Sequence, residues 1–329
     1  MSDLNVVLED DIYYRNDYSA LYTADEGELF SFEYIQGDKK VVFRSIKRPI
    51  TTVAGLAIDE ALCDLETPYG YGGPVTNCFS KAFLSAAFKA YKEECAAQNI
   101  VCEFIRFHPF NPLARRAEFF DFHSLERQVV VVDLTLSAQE RWAKYSKTTR
   151  NILRKANKKL VRSRNGDFLA DFCALYQQTM DKNNASEFYY FETDYFKKLA
   201  SLEGVELLSV NLDSALVSSG FFMHGHELGH YHLSANNGEL SRENGNYALL
   251  DFAFDYAKSL GCKWMMLGGG RTSDENDSLF RFKVKFSDQY LPFYIAGLTF
   301  LPNERSRLNA IWQAENKDDN QKSFQLYRL

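Results

Sequence analysis

Four consecutive valines at residues 129–132, inside the stretch 127–134, constrain the fold of this chain most strongly. A strand with one wet face alternates apolar and polar residues, so an unbroken β-branched run marks a strand covered on both faces. Helices must supply that cover, which makes the chain an α/β protein. Ser80 precedes a helical pattern with apolar positions 83, 84, 87, 88, 91 and 95. A strongly apolar helix over 246–260 closes at Gly261, a residue suited to the left-handed position after a helix. Residues 264–267 form a buried strand that stops at Gly268, Gly269 and Gly270.

The remaining pattern gives a helix over 10–24, strands over 29–34 and 40–48 around a turn at Gly37, and a loop over 64–76. A strand over 100–107, helices over 167–183 and 193–202, and strands over 205–210, 215–224 and 230–235 follow. Residues 278–286, a strand over 290–300 and a helix over 303–315 complete the chain. At 329 residues, about two domains are expected. Aromatic residues make up 15% and prolines number only 7, which excludes a disordered or collagen-like chain. The six cysteines are scattered without a CxxC pair, as expected of free thiols in a reducing compartment. Residues 1–10 carry acids and no apolar leader core, and no apolar run approaches the roughly 20 residues that cross a bilayer. The expectation is a cytoplasmic protein without membrane insertion.

Charge is placed unevenly. Ten Lys and Arg fall between Arg141 and Arg164 with no acid among them. The whole chain carries −6, so the remainder carries −16. Such a chain is not a general nucleic-acid binder; the basic segment is either a local site for a phosphate-bearing partner or a solvated helix face. Residues 137–140 (Ser-Ala-Gln-Glu) form a capping-box pattern that opens one basic helix, with Arg150 and Arg154 one turn apart on it.

His226-Glu227-Leu228-Gly229-His230 matches HExxH. A zincin needs that motif on a helix, with both histidines on one face. Gly225 and Gly229 and the β-like flanks predict a hairpin instead, without bound zinc. A three-residue turn would set His226 opposite His230 and His224 opposite His232, a metal-compatible patch or simply a polar face. The glycine triplet is either a sharp turn or a place where backbone approaches a ligand, with Arg271, Lys283 and Lys285 supplying charge. Arg242 and Gly245 stand at the start of the apolar helix, where free N–H groups suit a pyrophosphate.

Several segments together resemble the Fem family of aminoacyl transferases and its FemAB-like relatives in the GNAT superfamily. They are residues 67–74 (Thr-Pro-Tyr-Gly-Tyr-Gly-Gly-Pro), 106–109 (Arg-Phe-His-Pro), 145–156, 175–180, 231–235 (Tyr-His-Leu-Ser-Ala), 267–270 and 282–286 (Phe-Lys-Val-Lys-Phe). The resemblance implies two GNAT-like domains sharing a central cleft: residues 1–136, with 298–329 returning to them, and residues 137–297 carrying the donor site. It implies transfer of an acyl or aminoacyl group, from acyl-CoA or aminoacyl-tRNA, to an amine of a cell-wall or polysaccharide precursor. The long helical hairpin of some Fem enzymes has no counterpart between 167 and 202, and the CoA-type loop at Arg242 and Gly245 is degenerate.

Under this reading Lys283 stabilises negative charge on the reacting carbonyl, and no metal is required. Arg106, Arg150 and Arg154 contact phosphate. Tyr69, Tyr71, His108, Tyr231, His232 and Ser234, with the 268–270 turn and Arg271, hold substrate. The partners are a phosphate-bearing donor, with tRNA one possibility, and an amine-bearing acceptor; the oligomeric state is left open. The competing expectations are a non-catalytic ligand-binding protein of the same fold and a histidine-hairpin metalloprotein.

Overall fold

The computed structural model describes residues 8–23, 27–164, 168–182, 190–316 and 323–329. In chain order the strands are β1 (Glu28–Gln36), β2 (Lys39–Pro49), β3 (Thr52–Val53), β4 (Leu56–Ala57), β5 (Cys63–Glu66), β6 (Val75–Thr76), β7 (Ile100–Arg106), β8 (Phe122–Asp133), β9 (Val161–Ser163), β10 (Val205–Leu212), β11 (Ala215–His224), β12 (Leu228–Asn236), β13 (Trp264–Gly268) and β14 (Gln289–Thr299). The α-helices are α1 (Asn16–Ser19), α2 (Lys81–Ala97), α3 (Ala138–Lys144), α4 (Lys147–Lys159), α5 (Leu169–Lys182), α6 (Thr193–Ala200), α7 (Gly245–Ser259), α8 (Ser278–Lys283) and α9 (Pro302–Glu315).

Two compact units divide the chain. The first takes Tyr13–Glu126 and Pro292–Leu329; the second takes Arg127–Leu291 with the described part of Asn5–Ile12. In the first unit the strand order is β1-β2-β5-β7-β14. β1 and β2 form a hairpin closed at Gln36 and Lys39, with Gly37 in the left-handed region at φ 64°. β5 pairs β7 in parallel, and β7 pairs β14 antiparallel. One core cluster joins Phe43, Leu65 and Ile105 to Phe83, Phe88 and Tyr91 of α2. A second joins Val101 and Cys102 of β7 to Leu308 and Trp312 of α9 and to Leu326 and Tyr327. All six cysteines are free thiols.

In the second unit the order is β8-β13-β12-β11-β10-β9. Val129 to Val132 are all buried, as an unbroken valine run requires. The consecutive residues Phe221 and Phe222 of β11 show how the sheet is covered. Phe221 meets Phe172 of α5 and Phe196 of α6, whereas Phe222 joins the cluster of Leu249, Leu250, Ala253 and Phe254 from α7. Successive strand residues point to opposite faces, so these helices cover the two sides.

Three sequence expectations are corrected. Residues 10–24 do not form one helix. Arg15 is extended (φ −82°, ψ 143°), and only the short turns Ile12–Tyr14, α1 and Ala20–Tyr22 are helical; Ala24 lies outside the described residues. The tyrosines of these turns are tied elsewhere by their hydroxyls: Tyr14 Oη donates to the Gly72 carbonyl and Tyr18 Oη to that of Tyr69, each at 2.7 Å. Residues 64–76 are not all loop, since β5 and β6 lie at its ends. The basic segment is two helices. Tyr145 is buried and extended (ψ 151°), and Ser146 caps α4 by accepting the N–H of Thr149. The expected capping box at Ser137 and Glu140 is present. Of the helix expected over 167–183, the ends Asp167 and Asn183 lie outside the described residues.

Among the described residues, the first unit buries two carboxyls, Asp64 and Glu103. Glu103 of β7 accepts from Ser45 Oγ and from Tyr91 Oη, the latter at 2.9 Å. Burial raises its pKa to about 7, against the lowering effect of those two bonds. Between its ordinary pKa and about 7 the folded state binds a proton that the unfolded state has lost, so stability falls as pH rises through that window. Glu103→Gln keeps the shape and removes the charge. It is expected to stabilise the protein by on the order of 1–3 kcal/mol at pH 8 and by nothing at pH 4, measured by denaturant unfolding at both pH values.

Candidate functional site

Within the second unit, β12 and β13 run parallel but pair over only three positions: Leu228 with Trp264, Gly229 with Met265 and His230 with Met266. Beyond them the two strands part. On its other edge β12 continues along β11 to Asn236, with a bulge at His232 between the pairs Phe222–Tyr231 and Phe221–Leu233. A bulge re-aims side chains by inserting one residue into the alternation. Here Tyr231 Oη donates to Ser234 Oγ at 2.6 Å, and Tyr195 Oη of α6 meets His232 Nε2 at 3.3 Å. Enclosure lowers the His232 pKa to about 3, with the nearby His230 adding to the effect, so this imidazole is neutral.

Lys283 stands where the strands part. It ends α8, is only 6% exposed, and donates from Nζ to the Gly269 carbonyl at 2.7 Å. The same Nζ lies 5.8 Å from the centre of the Tyr231 ring. The ammonium therefore touches both the end of β13 and the released part of β12. Burial lowers its pKa to about 7; Asp277 opposes that fall and Arg127 adds to it.

The glycine turn is shaped by what presses on it. A Cβ on Gly269 would stand 2.7 Å from Arg127 Cδ, and one on Gly270 would stand 2.6 Å from Asp277 Oδ1. No side chain fits at either position. Arg127 Nη1 donates to the Gly270 carbonyl at 2.8 Å. Asp277 caps α8 by accepting the N–H groups of Leu279 and Phe280. Arg271 is exposed and reaches Ser278 Oγ at 3.1 Å. Lys285 does not join the turn; its Nζ donates to Tyr247 Oη at 2.7 Å.

The other candidate residues make local contacts of their own. In the first unit, Tyr71 packs edge-on to Tyr13, His108 and Phe293, while the Tyr69 ring stacks on Tyr22. His108 is fully buried and accepts the Phe110 N–H at Nδ1. Arg106 pairs with Glu66 and lies over the Phe104 ring. In the second unit, Arg150 turns back onto the Tyr145 carbonyl, and Arg154 bonds Asn151. Arg242 is exposed on a short 3-10 turn. Gly245 is buried against Val217 and Ser218, and Asn246 Oδ1 takes up the Tyr247 N–H at the helix start.

The four-histidine patch does not form. The hairpin is present, but its register sets His224 opposite Gly229 and His230 opposite Met223. His224 meets Tyr256 of α7, His232 meets Tyr195, and His226 is exposed in the turn. His230 Nε2 instead bonds Asp11 Oδ2 at 2.6 Å, both side chains being buried. Sequence reasoning also missed Arg127 and Asp277. Asp277 had a signal, an acid directly ahead of a short helical run, which is a favoured capping position; Arg127 had none.

The basic run is partly consumed by structure. Arg141, 2% exposed, pairs with Asp255 at 2.6 Å and donates to the Leu136 carbonyl. Arg162 bonds Asp251 and lies near Asp255, and Lys159 pairs with Glu243. Asp251 also accepts from Trp142 Nε1 at 2.7 Å and Asn157 Nδ2 at 3.0 Å, tying α3, α4 and β9 to α7. Lys144, Lys147, Arg154, Lys155 and Lys158 are exposed and have no acidic partner among the described residues. Asp251→Ala leaves three donors without their acceptor. It is expected to cost about 3–5 kcal/mol, read as a lower urea midpoint with unchanged m.

No family profile matches the chain, and no curated protein does. Among solved structures, FemX is similar with a TM-score of 0.71 at 13% identity, covering 93% of this chain and 95% of that one. The C-terminal domain (DUF2156) of a putative lysylphosphatidylglycerol synthetase from Agrobacterium fabrum gives 0.55 at 16% identity, covering 94% and 93%. L-PGS from Bacillus licheniformis gives 0.56 at 13% identity, covering 88% and 89%. At these identities the likeness is one of fold. The chain shares an α/β fold with FemX, in keeping with the Fem-like fold that the resemblance implied. Among the described residues, no helix is long and apolar enough to cross a membrane.

Proposed function

We propose that this protein is an N-acyltransferase that moves an aminoacyl group from aminoacyl-tRNA to an amine of a cell-wall or polysaccharide precursor. The observation that carries the reading is the Lys283 ammonium, buried where β12 and β13 part and held on the Gly269 carbonyl. The strand edges released there offer backbone groups to a substrate, and one cation stands among them. The fold shared with FemX and with the lysylphosphatidylglycerol synthetase domain agrees with this chemistry.

In the reaction the acceptor amine attacks the ester carbonyl carbon. The new C–N bond forms, negative charge gathers on the carbonyl oxygen, and the C–O bond to the donor breaks. The proton lost by the amine ends on the departing hydroxyl. Lys283 donates a hydrogen bond to the developing oxyanion, worth more in a site shielded from water than in bulk. The chain contains no Gly-x-Ser-x-Gly nucleophile elbow, consistent with direct transfer without a covalent enzyme intermediate. The Tyr231 ring, bonded to Ser234, flanks the same position.

Two features favour tRNA over CoA as donor. The first turn of α7, which a pyrophosphate would need, is partly satisfied by Asn246 and is packed on β11 at Gly245. The exposed lysines and arginines of α3 and α4 form a surface for a phosphate backbone, with Arg150 and Arg154 within it. The acyl-CoA alternative is kept as a second donor to test, with Arg242 and Gly245 as its contacts.

Lys283→Met retains the apolar stem and is expected to lower kcat by about a hundredfold, while Lys285→Met changes it less than threefold. The measurement is aminoacyl transfer from a set of charged tRNAs to amine-bearing precursors, with acyl-CoA donors in parallel. Equal effects at the two lysines would remove Lys283 from the mechanism. The double variant Arg150→Glu, Arg154→Glu should weaken tRNA binding at least tenfold at low salt and flatten the slope of log affinity against log salt concentration. Binding that matches the parent at every salt concentration would make α4 a solvated face.

A further inference from the structure

Arg127 and Asp277 press on the glycine turn from two sides. Arg127 donates to the Gly270 carbonyl and crosses Gly269 so closely that no Cβ fits there. Asp277 lies against Gly270 and anchors the start of α8, the helix that ends at Lys283. The carbonyl next to the one held by Arg127 is the acceptor of the Lys283 ammonium. Any shift of the turn or of α8 therefore moves Lys283 relative to Tyr231.

We propose that Arg127 and Asp277 are positioning residues for Lys283, clamping the glycine turn whose Gly269 carbonyl orients the ammonium and balancing its charge with opposite signs. The inference rests on the transferase reading only for its catalytic consequence; the clamp itself is a property of the folded chain. Among the described residues, the charged and titratable groups around Lys283 are few. Asp277 comes from the loop before α8, Arg127 from β8 and Tyr231 from β12, the last with its pKa raised by burial and so neutral. Arg281 on the same helix and Lys285 just after it are exposed, and Arg271 of the turn is exposed and bonded to Ser278.

Burial gives Lys283 a pKa of about 7 in the folded state against an ordinary 10.5. In that window the unfolded chain carries a proton that the folded chain has lost, so the contribution of Lys283 to stability rises with pH. Its lower bend marks the folded-state pKa. The experiment measures unfolding free energy from pH 6 to 11 in pairs of proteins, with Lys283 present or replaced by Met. The pairs are built on the parent, on Asp277→Asn, on Arg127→Gln and on Arg127→Lys.

Asparagine still caps a helix, so Asp277→Asn removes charge and keeps the anchor. The bend is expected to move down in Asp277→Asn and up in Arg127→Gln, each by about half a pH unit or more, a threefold change in proton affinity. Arg127→Lys keeps the charge and returns the bend toward the parent. If the bends of Asp277→Asn and Arg127→Gln coincide with that of the parent, or move in the same direction, the proposal is overturned. The readout needs no donor or acceptor. Opposite shifts in a protein that shows no transfer would sustain the clamp and overturn the catalytic reading. When transfer is measurable, the pH profile of kcat should shift with the same signs while KM stays within about threefold.

Discussion

The second unit is organised by the point at which β12 and β13 stop pairing. Three parallel pairs hold the strands together, and then β12 stays with β11 while β13 ends in glycine. Unpaired backbone donors and acceptors are costly unless water or another group reaches them, which makes a parting of strands a constraint on what surrounds it. The bulge at His232, the bond from Tyr231 to Ser234 and the seat of Lys283 on Gly269 lie along the strand stretches beyond those pairs.

Charge is used in two different ways. Asp251 and Asp255 of α7 draw Arg141, Trp142, Asn157 and Arg162 into a partly buried network that fixes α3, α4 and β9. What is left over on α3 and α4 is a surface of cations with no acidic partners among the described residues. Sequence shows only the ten charges in a row. Their division into latch and surface depends on which residues face α7, and that depends on the break at Tyr145 and Ser146. The break arises because burying the Tyr145 ring and capping with Ser146 replace a continuous helix by two short ones.

In the first unit, buried polar groups are paired locally. Glu103 sits between Ser45 and Tyr91, and Asp64 takes Arg48, Tyr327 and Arg328. Through Asp64 the final residues of the chain are tied back to β2 and β5. Tyrosines of the N-terminal stretch do the same for the 69–74 loop, through bonds from their hydroxyls to the Gly72 and Tyr69 carbonyls.

The sequence by itself determined the α/β class, the doubly covered valine strand, the helices α2 and α7, the capping box at Ser137 and the hairpin at residues 225–227. Each follows from local periodicity, turn residues or backbone preference, which act within a few residues of one another. The resemblance of residues 282–286 also singled out Lys283. Only the tertiary structure decided the rest. A three-residue difference in hairpin register scattered the histidines, because an odd shift turns residues expected to share a face to opposite sides. Arg127 and Lys283 lie 156 positions apart in sequence and act on adjacent carbonyls of one turn. No local pattern encodes such a meeting; it exists because β8 and β13 pair and bring the middle of β8 beside the end of β13.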